Sequence, residues 1–102
     1  MTGFTRLSNV LEESNGILFF ECPGCKMLHG VNVARDDRPK WTWNNDVNNP
    51  TFNPSVLVQG DFGVERKPLT CHSFVRNGMI EFLNDCTHDK AGQTIRLPDL
   101  ED

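Results

Sequence analysis

The residues in this sequence best suited to chemistry are four cysteines and three histidines, since thiolate sulfur and imidazole nitrogen are common zinc ligands. Cys22 and Cys25 enclose a proline and a glycine. This spacing is typical of a metal-binding knuckle, in which a tight turn directs both thiolates at one ion. One knuckle supplies only half of a tetrahedral site, so the other ligands must come from far along the chain.

Cys86 and His88 are the predicted second pair, because residues two apart project to the same side of a strand. Cys71 is expected on the same face and could displace His88, and His29 could also compete. A closed site rich in thiolate is typical of structural zinc, with iron as the alternative ion. The predicted ligands of this structural Zn²⁺ are Cys22, Cys25, Cys86 and His88.

A second set of residues, Ser55, His72 and Asp85, could support nucleophilic catalysis. A serine hydroxyl needs a base within hydrogen-bond reach, which His72 would supply, and Asp85 would orient the imidazole. In the alternative, Ser55 hydrogen-bonds the backbone beside Pro54, His72 belongs to a polar network and Asp85 caps a turn.

Residues 70–88 must position most of these side chains, and they are predicted to form a β-hairpin around Asn77-Gly78. This pair tolerates the positive φ of a two-residue type I′ turn. Side chains alternate across the pleat, so one face is expected to carry Cys71, Ser73, Val75, Ile80, Phe82 and Cys86. The other face is expected to carry His72, Phe74, Leu83 and Asp85.

The rest of the chain is a series of short apolar runs separated by turn formers, which predicts a mainly β fold. The expected architecture is a small zinc-stapled antiparallel β-sheet, a sandwich or a partly open barrel with few or no helices. Pro54 interrupts the run 51–58 and places it at an edge or a bulge. Residues 60–67 are expected to form a polar loop. Residues 1–102 would be one domain, with 1–16 and 98–102 peripheral.

Composition narrows the class of protein. With 102 residues of which 37% are hydrophobic, the core must be modest, and a metal cross-link would help it. A net charge of −4 and the lack of a Lys/Arg cluster argue against nucleic acid as a partner. The N-terminus does not resemble a signal peptide and the longest apolar run, 17–20, is too short for a membrane span. We therefore expect a cytoplasmic protein whose thiols bind metal, with disulfides or free core thiols as alternatives.

Three blocks of sequence, over residues 21–33, 35–58 and 71–99, together resemble a small phage-encoded family. Its members are usually labelled uncharacterised or "ammonia monooxygenase", a label that no residue of this chain supports. The resemblance implies expression in the cytoplasm of a bacterial host.

A more distant resemblance is to BubE, a peptidase family of bacterial ubiquitin-like conjugation operons. It is carried by the cysteine knuckle, by Trp41 or Trp43, by the block TFNPSV at residues 51–56 and by CHSF at 71–74 followed by Gly78. The resemblance implies Ser55 as nucleophile and His72 as general base, acting after the C-terminal tail of a ubiquitin-like protein.

This chain departs from the BubE pattern at two positions, with Cys71 in place of a serine and Leu69 in place of a cysteine. Residues 84–88 are expected to replace the lost metal ligand. The place of Asp85 in a triad comes from the hairpin register alone.

Two classes of function follow, and the sequence leaves open whether the protein is an enzyme. It is either a serine-type peptidase or hydrolase with a structural zinc, or a non-catalytic zinc-binding module that docks on a host, phage or defence protein. Docking would use strand addition beside Pro54 or the surface of Trp41 and Trp43. A zinc hydrolase is a third possibility, and the sequence assigns no oligomeric state.

Overall fold

The computed structural model describes residues 4–62 and 67–100, and within these ranges every regular element is a β-strand. Two antiparallel sheets are present. The first has the order β1-β2-β3-β4 and the second the order β5-β6-β7-β8-β9. The strands are β1 Thr5–Arg6, β2 Glu12–Ser14, β3 Ile17–Cys22, β4 Met27–Asn32, β5 Thr42–Trp43, β6 Phe52–Phe62, β7 Lys67–Arg76, β8 Met79–Phe82 and β9 Thr94–Arg96.

The two sheets pack against each other through their apolar faces, and neither closes into a barrel. The Phe20 and Phe52 rings, one from each sheet, stack with centroids 6.4 Å apart. The predicted mainly β, antiparallel fold is therefore confirmed. The buried core residues from the strands of both sheets are Leu18, Phe20, Cys22, Val31, Phe52, Val56, Cys71, Val75, Ile80 and Phe82.

The hairpin around Asn77 and Gly78 has the predicted register, with Arg76 opposite Met79 and Ser73 opposite Phe82. Asn77 and Gly78 have φ values of 52° and 77°, the left-handed conformation that a type I′ turn requires. The cysteine-bearing face is buried against the other sheet, whereas His72 lies on the opposite, more accessible face. The alternation ends with β8 at Phe82, before Asp85 and Cys86.

The strands include one segment that was expected to be a loop. Glu12–Ser14 forms β2, which pairs with residues 17–19 of β3 as part of a meander. β6 continues to Phe62 and β7 begins at Lys67, so residues 60–62 and 67 of the predicted loop 60–67 are strand. Residues 63–66 lie outside the described residues. Leu11, which precedes β2, is fully buried.

Pro54 lies in β6 at a shift in register between Phe52 and Val56, as expected for a proline that cannot donate to the ladder. No helix in the described part of the chain has the length and apolar character needed to cross a membrane.

Candidate active site and metal centre

Ser55 and His72 are in direct contact on the accessible face of the second sheet. Ser55 Oγ lies 2.9 Å from Nε2 of His72. Ser55 comes from β6, within the register shift between Phe52 and Val56, and His72 comes from the neighbouring β7. A hydroxyl at this distance from an imidazole nitrogen can pass it a proton.

Asp85 completes a chain of three polar groups. Its Oδ2 lies 3.2 Å from Nδ1 of His72. An ionised carboxylate can only accept a hydrogen bond, so Nδ1 is the donor and, in the neutral ring, Nε2 is free to accept the Ser55 proton. The His72 side chain is 26% exposed and that of Asp85 is 56% exposed, so the pair lies near solvent.

Cys86 fixes the backbone of His72. Its Sγ accepts a hydrogen bond from the His72 N–H at 3.3 Å and donates to the His72 carbonyl at 3.2 Å. A further backbone hydrogen bond joins Leu83 N to the same carbonyl at 2.9 Å. The segment that follows β8 is therefore fastened along β7, and this attachment brings Asp85 to the imidazole.

Trp41 holds the other side of Ser55. Its indole Nε1 donates to the Ser55 carbonyl at 3.1 Å, and its backbone N donates to the Asn32 carbonyl at 2.8 Å. The buried Asn32 amide also donates to the carbonyls of Arg35 and Pro39, both at 2.9 Å. These contacts order residues 33–41, which connect the two sheets, and they position the Trp41 indole against Ser55.

A second cluster of side chains lies on the opposite, buried face of β7. The potential ligand atoms of its four residues all lie within 4.8 Å of one another: Cys22, Cys25, Cys71 and His88. Three thiols and an imidazole form a donor set typical of structural zinc.

The distances within this cluster fit a tetrahedral ion. Bonds of zinc-ligand length place two sulfurs about 3.8 Å apart and a sulfur and a nitrogen about 3.6 Å apart. The sulfurs of Cys22 and Cys71 are 3.7 Å apart, and Cys71 Sγ lies 3.5 Å from Nε2 of His88. The residues present therefore fit a zinc ion.

The knuckle has the geometry that its sequence predicted. Lys26 N donates to the Cys22 carbonyl at 2.8 Å, and Cys25 N donates to Cys22 Sγ at 3.4 Å. A side chain at Gly24 would overlap the ring of His88, so only glycine lets the imidazole lie against the turn. The ring also contacts Phe82 edge-on, with centroids 4.5 Å apart.

Hydrogen bonding and burial give the three thiols of the cluster different pKa values. A hydrogen bond from Cys71 lowers the pKa of Cys22 to about 4. Burial raises the pKa of Cys25 to about 11, and the hydrogen bond to the Cys22 thiolate raises the pKa of Cys71. At neutral pH Cys22 is therefore a thiolate that can bind a cation. Binding of a divalent ion would displace the protons of Cys25 and Cys71.

The structure groups the predicted ligands differently from the sequence in one respect. Cys22, Cys25 and His88 lie together as expected, but Cys71 occupies the fourth place. Cys86 lies instead on the backbone of His72, because the strand alternation that would have aligned it with His88 stops at Phe82. His29 is buried outside the cluster, and its proximity to Cys22 helps to lower the pKa of that thiol.

The sequence was compared with models of known protein families. A family model described as "Bacterial ubiquitination-like system serine protease (BubE)" matches residues 4–83. The chain belongs to the BubE family. No match was found among curated proteins or among solved structures.

The BubE match covers both members of the Ser55–His72 pair and the three clustered cysteines. Asp85 and His88 lie beyond it, in the segment after β8. In this chain the third polar group and the imidazole of the metal cluster therefore come from one short C-terminal segment.

Proposed function

We propose that this protein is a serine peptidase of a bacterial ubiquitination-like system, with Ser55 as the nucleophile. The observation that carries the proposal is the 2.9 Å separation between Ser55 Oγ and Nε2 of His72. Membership of the BubE family, whose description names a serine protease, supports the same reaction class.

In the proposed reaction, Nε2 of His72 takes the hydroxyl proton while Ser55 Oγ attacks the carbonyl carbon of the scissile bond. The proton then passes to the leaving amine, and an acyl group remains on Ser55. Water, deprotonated by the same imidazole, hydrolyses this ester and restores the hydroxyl. Asp85 holds the Nδ1–H and stabilises the imidazolium that forms in each step.

We assign a structural zinc to the cluster of Cys22, Cys25, Cys71 and His88. Four protein donors fill a tetrahedral site, which is typical of structural rather than catalytic zinc. Cys71 and His72 are consecutive in β7, so their side chains point to opposite faces of the sheet. The cluster therefore supports the scaffold from the core side, and Ser55 meets its substrate on the other side.

The proposed substrate is the C-terminal tail of a ubiquitin-like protein in the bacterial cytoplasm. Purified protein is incubated with a ubiquitin-like protein from such a system carrying a short C-terminal extension, and product masses are measured. We expect cleavage by the wild type, and none by Ser55→Ala or His72→Ala. Ser14→Ala, on the other sheet, is the matched serine control and should cleave as the wild type does.

A metal-loaded protein that neither cleaves such substrates nor reacts with a fluorophosphonate would contradict the peptidase. If that protein still bound a partner equally well with Ser55→Ala and His72→Ala, the non-catalytic docking module would be the better function.

A further inference from the structure

We propose that the peptide to be cleaved binds as an added β-strand along the free edge of β6, between Ser55 and Gln59. This inference rests on the proposed function, because it takes Ser55 as the nucleophile. It specifies the conformation that the substrate must adopt and the backbone groups that hold it.

The edge of β6 is open beside the candidate active site. β5 pairs only with Phe52 and Asn53, whereas β6 continues to Phe62. Across residues 4–62 and 67–100, no strand pairs with the outer side of β6 beyond Asn53. Leu57 is 50% exposed and Gln59 is also exposed, as expected for an uncovered edge.

The hydrogen bonds of His72 show which way the backbone of Leu57 faces. Leu57 is directly opposite His72 in the ladder between β6 and β7. The N–H of His72 is bonded to Cys86 Sγ, and its carbonyl accepts from Leu83 N and Cys86 Sγ. Both groups thus face away from β6. In an antiparallel pair this makes the Leu57 position non-hydrogen-bonded, so its N–H and C=O face the free edge.

The same argument applies two residues further along, at Gln59. Its partner in the ladder is Thr70. The N–H of Thr70 donates to Oγ1 of Thr87 at 3.0 Å, and its carbonyl accepts from Thr87 N at 2.9 Å. The N–H and C=O of Gln59 therefore also face outward. Leu57 and Gln59 are two residues apart, so together they present two N–H groups and two carbonyls on the free edge of β6. An extended peptide can pair with groups in this arrangement.

The position of Ser55 gives the added strand a direction. In the more stable antiparallel arrangement, the peptide would run from Gln59 towards Ser55. Its N-terminal part would then pair with Gln59 and Leu57 before the scissile bond reaches the serine hydroxyl. Beyond that point β5 occupies the edge, and the Trp41 indole already bonds the Ser55 carbonyl, so the leaving segment must turn away.

The Leu57 side chain adds an apolar contact to this edge. Cross-strand partners share a face, so Leu57 lies beside His72 on the face where the reaction would occur. We expect an apolar substrate side chain opposite Leu57. Pairing of this kind also requires several residues in extended conformation, which favours a flexible tail over a loop held in a folded domain.

Proline variants test the edge directly. Leu57→Pro removes an N–H that the β6–β7 ladder does not use, and proline is tolerated where an edge N–H faces outward. Two rates are compared in each variant: cleavage of a mixture of quenched fluorescent decapeptides, and labelling of Ser55 by a small fluorophosphonate. Leu57→Ala, which keeps the N–H, is the matched control, and thermal unfolding reports the integrity of the fold.

We expect the ratio of peptide cleavage to labelling to fall about tenfold or more in Leu57→Pro, and by less in Leu57→Ala. Gln59→Pro should change the ratio in the same direction and serves as the second variant if Leu57→Pro unfolds. A wild-type ratio in both proline variants would overturn the edge proposal, as would equal losses of both rates. If the wild type is not labelled at all, the proposed function itself fails and the edge proposal falls with it.

Discussion

Cys71 and His72 are adjacent residues of β7 whose side chains lie in different centres on opposite faces of one sheet. Cys71 Sγ is 3.7 Å from Cys22 Sγ in the buried cluster, and Nε2 of His72 is 2.9 Å from Ser55 Oγ on the accessible face. The segment after β8 contributes to both centres, with Asp85 at the imidazole and His88 among the thiols. The metal cluster and the candidate triad are therefore mechanically linked.

Removal of the metal is expected to impair the triad as well as the fold. Without an ion, His88 loses its bond to the metal and keeps its contact with Phe82. The segment after β8 is then held less firmly, which weakens the placement of Asp85, three residues earlier, beside His72. We predict that chelation lowers the melting temperature by more than about 10 °C and abolishes peptide cleavage, and that added zinc restores both. Differential scanning calorimetry and cleavage assays on the same samples measure the two effects. Full activity in metal-free protein would contradict the link.

Cys71 and Cys86 are expected to behave differently when replaced by serine. Cys71→Ser removes a thiol from the cluster, so we predict that the purified variant holds much less than one equivalent of metal. Cys86→Ser should keep one equivalent, because Cys86 bonds the backbone of His72 instead and a hydroxyl preserves a donor and an acceptor there. Elemental analysis distinguishes the two variants. Metal loss confined to Cys86→Ser would favour the ligand set predicted from the sequence.

Gly24→Ala should weaken metal binding through a steric effect on His88. The added methyl group would overlap the imidazole and displace it from the thiols. We expect at least a tenfold loss of metal affinity in competition with a chromogenic chelator.

Gly78→Ala is the control for Gly24→Ala, since Gly78 lies in the hairpin turn. Its φ of 77° strains any other residue, and a methyl group there would lie 3.1 Å from Cα of Asn49. This variant should lose about 1–2 kcal/mol of unfolding free energy and keep its metal affinity. Equal metal affinity in both variants would contradict the placement of His88.

Metal affinity is expected to fall as the pH falls. Burial raises the pKa of Cys25 to about 11, and the bond to Cys22 raises the pKa of Cys71, so both are protonated thiols at pH 7 in the metal-free protein. With a pKa of about 4, Cys22 is already a thiolate. Binding at pH 7 should therefore release about two thiol protons. Calorimetry in buffers of different ionisation enthalpy counts them, and an affinity independent of pH between 6 and 8 would contradict this assignment.

The local pattern of the sequence was sufficient for the hairpin. The pairing of Ser55 with His72 was instead implied by the resemblance to BubE, and Asp85 was added to it from the hairpin register. Asn77-Gly78 fixes the turn, the turn fixes the register, and the register determines which face carries His72. That inference depends only on pairing across one short loop. The knuckle of Cys22 and Cys25 is equally local.

Features that depend on where a strand stops were not accessible from the sequence. β8 ends at Phe82, and the following turn directs Cys86 to the backbone of His72 and leaves the fourth place in the cluster to Cys71. The position of Trp41 against Ser55 depends on the connection ordered by Asn32, which no spacing rule describes. The sequence did not show that β6 extends beyond its short neighbour β5, because residues 59–61 are Gln-Gly-Asp and are typical of a loop.

Mass-spectrometric mapping of the adduct formed by a fluorophosphonate tests the Ser55–His72 pair most directly. We predict a single adduct on Ser55 in the metal-loaded wild type, no adduct in Ser55→Ala or His72→Ala, and slower labelling in Asp85→Asn. An unmodified Ser55, or labelling of Ser55 at the same rate after His72→Ala, would contradict a nucleophile activated by this histidine.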